Sequence, residues 1–126
     1  MMLRLFFIFS MFFSIAACSA HDEQYYATHP KKLQQAIDRC PSEPPQQLSC
    51  EQLAQLVLRI NDYALDVRMH PQSFGKKILS LQETIAKQES DVKRSPKDDD
   101  LRQALRSNQK QLKERLAVVG WLLAPG

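Results

Sequence analysis

Apolar positions obey two different rules along this chain. From Leu5 to Ala17 they run on without a period, interrupted only by Ser10 and Ser14. After Cys18 they return at steps of three and four, the spacing that lines one face of an α-helix. Leu33, Ala36, Ile37 and Cys40 mark a first helix. His29-Pro30 starts it, with Pro30 at the first helical position, where its missing N–H costs no hydrogen bond, and Pro41 ends it. Leu53, Leu56, Val57, Ile60, Tyr63, Ala64 and Val67 mark a second helix, which opens at Ser49 with Gln52 at capping-box spacing. It reaches about Met69 and meets another His-Pro pair, His70-Pro71.

A third helix spans Pro71 to Arg94, where Phe74, Ile78, Leu81, Ile85 and Val92 lie close to a heptad seam and Gly75 is a mild weakness. The break at Ser95-Pro96-Lys97-Asp98 predicts a cap with Pro96 at the first helical position and Asp98 at the third. Asp98, Asp99 and Asp100 then stand in a first turn, where the helix dipole favours negative charge. The fourth helix carries Leu101, Leu105, Leu112, Leu116, Val119 and Leu123 and stops at Pro125-Gly126. The predicted fold is all-α: four helices in two antiparallel hairpins, the second long and coiled-coil-like. The pattern leaves open whether the hairpins close into one bundle or leave an elongated arm.

The first rule belongs to an export signal. Arg4 precedes an apolar run of signal-peptide length, too short to span a bilayer comfortably. The run ends in Ile15-Ala16-Ala17-Cys18, the form of a bacterial lipobox, in which the Cys18 thiol is the nucleophile that takes the lipid. The alternative is an ordinary secretory signal cut after Cys18-Ser19-Ala20, a poorer site because cysteine occupies its first small position. On the lipobox reading, residues 1–17 are a signal peptide, residues 18–28 a lipid-anchored polar tether and residues 29–126 a helical domain. More than one acyl chain on Cys18 would hold the domain firmly in the membrane. Ser19, standing where an aspartate would resemble an inner-membrane retention signal, favours the periplasmic face of the outer membrane.

The whole chain is 44% apolar with a net charge of +3, but five of its six phenylalanines lie in the export signal. Beyond the signal, the chain is an aromatic-poor, Gln- and Lys-rich domain. With Cys18 acylated, Cys40 and Cys50 remain as an even pair in an exported chain, for which a disulfide is the expected state. The segment between them carries Pro41, Pro44 and Pro45 and is no helix.

Catalytic chemistry is not expected. His21, His29 and His70 fall into no zinc-ligand spacing, and two of them precede helix-starting prolines. The acids scatter over polar faces, with no isolated pair on an apolar background of the kind a tuned general acid needs. No glycine-rich phosphate loop is present. The sequence thus calls for no catalytic residue, no metal, no cofactor and no small-molecule substrate. Arg102, Arg106, Lys110 and Lys113 form a basic stripe, which without interleaved aromatics reads as a solvated face and not as a nucleic-acid site. Tyr25-Tyr26 in the polar tether is either packed on the domain as a staple or offered to a partner. Trp121 reads as core near the end of the last helix, or as a docking surface if exposed.

The lipobox ending at Cys18, then Tyr25-Tyr26-Ala27-Thr28-His29-Pro30, Leu33 and Cys40, resembles the entry-exclusion lipoproteins of the EexN type. The likeness covers the N-terminal third; the stretch from Pro71 to Leu123 goes beyond it. The resemblance implies a periplasm-facing protein that blocks redundant conjugative DNA transfer by contacting a protein of the incoming type IV secretion machinery. Tyr25, Tyr26, His29 and Pro30 are the residues it marks for that partner. Membrane lipid, reached through acylated Cys18, is the other expected partner. Cells grown with labelled palmitate should incorporate label into the wild-type protein and lose it in Cys18→Ala; label retained by that variant would exclude the lipobox reading.

Overall fold

The computed structural model describes residues 21–124. Those residues fold into five helices: α1 (Glu23–Thr28), α2 (Pro30–Asp38), α3 (Cys50–Met69), α4 (Pro71–Arg94) and α5 (Asp99–Leu123). Among the described residues there is no strand, so the all-α class holds. The α4 helix covers the residues that the periodicity predicts, and α3 ends at the predicted Met69. Ser49 caps α3 through the expected reciprocal pair: its hydroxyl accepts from the Gln52 N–H at 3.1 Å, and the Gln52 side chain accepts from the Ser49 N–H at 2.9 Å.

Both His-Pro pairs sit at helix starts, with Pro30 and Pro71 in the first turn. Neither histidine side chain makes a cap hydrogen bond. His29 instead turns back to the helix before it, with Nδ1 2.7 Å from the Tyr25 carbonyl oxygen. The pairs work as corners: a residue ahead of proline is kept out of helical backbone, so one helix must stop before the next begins.

Two expectations are corrected. The polar stretch up to Thr28 is not tether throughout, because Glu23–Thr28 is helical and brings the helix count from four to five. Asp22 caps it, accepting from the Tyr25 N–H at 2.9 Å. Six residues cannot sustain a helix alone, so α1 owes its existence to burial of Tyr26 and Ala27 against the rest of the protein. The second correction concerns the start of the last helix. Asp98 itself is the cap, accepting from the Leu101 N–H at 3.0 Å, and Ser95 to Lys97 form the turn before it. A carboxylate at the cap position satisfies one of the orphan donors and meets the positive end of the helix at once.

One cluster of buried side chains joins α1, α2, α3 and the last turns of α5: Tyr26 and Ala27; Leu33 and Ala36; Leu53, Leu56, Ile60 and Ala64; and Val118. Leu48, from the loop ahead of α3, completes it. α4 supplies none of these residues and packs chiefly along α5. The α5 helix packs against each of the other four, and its side chains divide accordingly. The predicted seam through Leu116 and Leu123 is not the core face, since these are 46% and 78% exposed while Val118 is fully buried. A helix with neighbours on two sides has no single apolar stripe, and a one-face periodicity misassigns part of it.

Cys40 and Cys50 are joined in a disulfide across the turn between α2 and α3, with Cα atoms 5.9 Å apart. Replacing both by serine should lower the unfolding free energy by about 2–3 kcal/mol, the chain-entropy value for a loop of this size. The measurement is the midpoint of urea denaturation at unchanged slope; an unmoved midpoint would assign the ordering of the loop to Leu48 burial alone.

Candidate functional site: the N-terminal docking surface

The residues singled out at the N-terminus come together at the corner between α1 and α2, but they do not share one role. Cys18 lies outside the described residues. Tyr26 is buried in the core and leaves the set of surface contacts. Its neighbour Tyr25 is half-buried at the edge, and His29 is exposed. The α-helical spacing of His21, Tyr25 and His29 stacks their rings in a ladder, with centroids 3.8 Å and 4.2 Å apart. Tyr26 braces the ladder from beneath, edge-on to Tyr25 at 5.4 Å. Of the two readings of Tyr25-Tyr26, Tyr26 takes the staple and Tyr25 stays at the surface.

Two shallow clefts flank this ladder and share Lys32. One is lined by His21, Tyr25, Tyr26, Lys32, Gln35, Ala36 and Arg39. The other, an open groove of about 350 Å³ with nearly apolar walls, runs between the start of α2 and the end of α5. Thr28, His29, Pro30, Lys31 and Lys32 form one wall, and Ala117, Trp121 and Ala124 the other. Trp121 packs against the core with one part and lines this surface groove with another.

What fixes α1 in place is a set of ion pairs. The Arg59 guanidinium donates to Glu23 at 2.8 Å and to Glu114 at 3.0 Å, and the Lys110 ammonium donates to Glu23 at 3.0 Å. Three helices meet in this cluster, which ties α1 to α3 and α5. Glu114 is 1% exposed, the one charged side chain among the buried residues described. Hydrogen bonds from Arg59 and Lys110 hold the Glu23 carboxyl below its ordinary value of 4.5. Burial pulls Arg59 down, and its hydrogen bonds and attraction to Glu23 and Glu114 outweigh this, so its pKa stands above the ordinary arginine value. Next to the cluster, the Arg115 guanidinium lies over the Tyr63 ring at 4.4 Å and the Phe74 ring at 5.0 Å, joining α5 to both α3 and α4.

The acids of this cluster are the residues that a reading of scattered surface charge misses. A signal was present: Glu114 precedes Val118, Trp121 and Leu122 at helical steps, so it shares their face. Lys110, predicted as part of a solvated stripe, is drawn into the same cluster, while Arg106 and Lys113 of that stripe are exposed.

A separate feature lies on α3. Leu58, Leu65 and Met69 recur at steps of seven and four and are 66%, 59% and 64% exposed. They form an outward apolar stripe on a helix whose opposite face supplies much of the core. Among the described residues, no helix is long and apolar enough to cross a membrane, and no group of three or more His, Cys, Asp or Glu side chains could hold a metal ion. Compared with protein-family models, with curated proteins and with solved structures, the chain gives no match.

The ion pairs of Glu23 should make α1 docking acid-sensitive. A carboxyl whose folded pKa is depressed contributes stability that is present above its unfolded value and is lost as the pH falls through the folded one. Glu23→Gln should therefore cost about 1 kcal/mol or less at neutral pH, because Glu23 is partly solvated. Its deficit should vanish as the pH drops below 4.5 and on toward the lowered folded value. Arg59→Ala, which leaves the buried Glu114 carboxylate without its partner, should cost more, about 3 kcal/mol. Urea titrations of both variants across pH provide the check; a Glu23→Gln deficit that persists in acid would show that the contact is not ionic.

Proposed function

We propose that this protein is a lipid-anchored, periplasm-facing helical binding protein that acts by contact with another envelope protein. The observation that carries the proposal is the α3 stripe of Leu58, Leu65 and Met69. Apolar side chains at heptad-like steps, left outside a core that the opposite face of the same helix helps to build, suit the apolar face of a partner helix. The short N-terminal pattern running from Cys18 through Tyr25, His29 and Pro30 to Cys40 gives this reading its specific form: exclusion of redundant conjugative transfer beside a type IV secretion apparatus. In this form the partner is a component of the incoming machinery, and the outer membrane is the favoured site of the anchor. In the folded chain Tyr25, His29 and Pro30 of that pattern stand together at the α1–α2 corner, with Tyr26 beneath them in the core.

A second reading is favoured by a different observation. Leu79 on α4 and Leu116 on α5 are also exposed, at 60% and 46%. If the helices work as two antiparallel hairpins, the α4–α5 hairpin offers its own apolar positions to a coiled-coil partner, as a structural or assembly lipoprotein would.

Mating assays separate the two. Recipients expressing the wild-type protein should receive a cognate conjugative element about tenfold or more less often than control recipients. Leu58→Asp with Leu65→Asp should restore transfer without changing the amount of protein. Transfer that stays unaffected for every cognate system removes the exclusion role. Crosslinking from α4 and α5 that recovers a stoichiometric envelope partner would then favour the structural one.

A further inference from the structure

The α1 helix limits how far the domain can stand from a bilayer. This inference rests on the acylation of Cys18 proposed above. A flexible tether up to Thr28 would let the domain wander over tens of ångströms, since an extended chain covers about 3.3–3.6 Å per residue. With α1 docked, only the three steps from Cys18 to His21 remain. Their covalent reach is about 11 Å at most, whatever conformation they take. α1 adds no slack, because Arg59 and Lys110 hold Glu23 and the core holds Tyr26 and Ala27.

The surface around His21 is thus the one brought to the headgroups, and its chemistry suits that position. We propose that the α1–α2 face, with Tyr25, His29, Lys31, Lys32, Arg39 and Trp121, rests on an anionic phospholipid surface. Neither cleft on this face is lined by a carboxylate, whereas Lys31, Lys32 and Arg39 line them. The nearby acids are already engaged: Asp22 caps α1, Glu23 sits in the ion cluster, and Asp38 accepts from the Gln34 side chain at 2.9 Å. Lysine stems can lie along the apolar groove while their ammonium groups reach phosphate oxygens. Tyr25 and Trp121 offer rings of the kind that settle at the boundary between headgroup and hydrocarbon. The turn between α4 and α5 lies remote from this face, since eleven residues of α5, about 16 Å, separate Asp99 from Lys110.

Lysine footprinting of the acylated full-length chain tests the proposal. The protein is reconstituted into phosphatidylcholine vesicles with or without phosphatidylglycerol and treated with an acetylating reagent, with detergent micelles as reference. On the anionic vesicles, acetylation of Lys31 and Lys32 should slow about threefold or more while Lys93 and Lys97 keep their rates, and the protection should shrink in high salt, as charge attraction screened over a Debye length must. Equal slowing at all four lysines, no slowing at Lys31 and Lys32, or protection found only in native envelopes and never on vesicles would overturn it. The last result would assign the face to a protein. Palmitate labelling keeps the underlying reading separate: a chain that takes no label at Cys18 loses the anchor and the distance limit together, whereas a labelled chain with unprotected lysines loses only the lipid contact.

Discussion

The carboxylate of Glu114 is almost wholly removed from water, at the place where α5 meets the core. A charge in that position is tolerated only with a partner close by, because its lost hydration must be replaced by hydrogen bonds and an opposite charge. Arg59 meets that requirement from α3, at 3.0 Å. Its guanidinium has donors to spare, and the same terminal nitrogen also reaches Glu23, which in turn is met by Lys110. One buried acid thus sets the relative position of α3 and α5, and their shared arginine draws in α1. The arrangement gives specificity more than strength: burying Tyr26 and Ala27 attracts α1 to the core, but the charges fix where along α5 it sits.

That placement explains which parts of the structure are legible in the sequence. Local signals are clear. The Ser49–Gln52 box, the prolines after His29 and His70, and the pairing of Cys40 with Cys50 all depend on residues near one another in the chain or on simple counting. The illegible parts depend on tertiary contact. α1 has too few apolar positions to show a period, and exists because two of its residues find a core built by others. The face of α5 is misassigned in part: Leu112, Leu116, Val119 and Leu123 form a clean stripe in sequence, but Leu116 and Leu123 of it are exposed, while Val118, outside the stripe, is fully buried. Glu114 is obscured for the same reason: its helical spacing to Val118, Trp121 and Leu122 puts it on their face, but only the neighbouring helices decide that this face is buried.

The candidate site is legible to a similar degree. Tyr25, Tyr26, His29 and Pro30 do gather at one corner, but adjacency in sequence cannot say which of two tyrosines turns inward. Tyr25, Tyr26 and Ala27 follow at about 100° steps around α1, and the fold turns Tyr26 and Ala27 fully to the core while leaving Tyr25 at its edge. In sequence, His29 is punctuation ahead of a proline and His21 is one more polar residue. Their rings stack on Tyr25, an arrangement that requires the α1 helix, which the periodicity does not show. On α3 the periodicity picks out the apolar residues of the core and passes over Leu58, Leu65 and Met69, a second stripe whose exposure only the fold reveals.

α4 gives nothing to the shared core, and this has a mechanical meaning. None of residues 86–113 is fully buried, so the far part of the α4–α5 pair is held by contacts along its own seam, among them the 3.0 Å bond from Asn108 to Gln88. The protein is thus stiff at one end, where a disulfide, a buried acid and most of the apolar contacts crowd together, and compliant at the other. Bending the far end deforms few packed side chains, while twisting the near end disturbs nearly all of them. A load applied at the distal turn would be taken up along the α4–α5 seam before it reached the buried cluster at the other end.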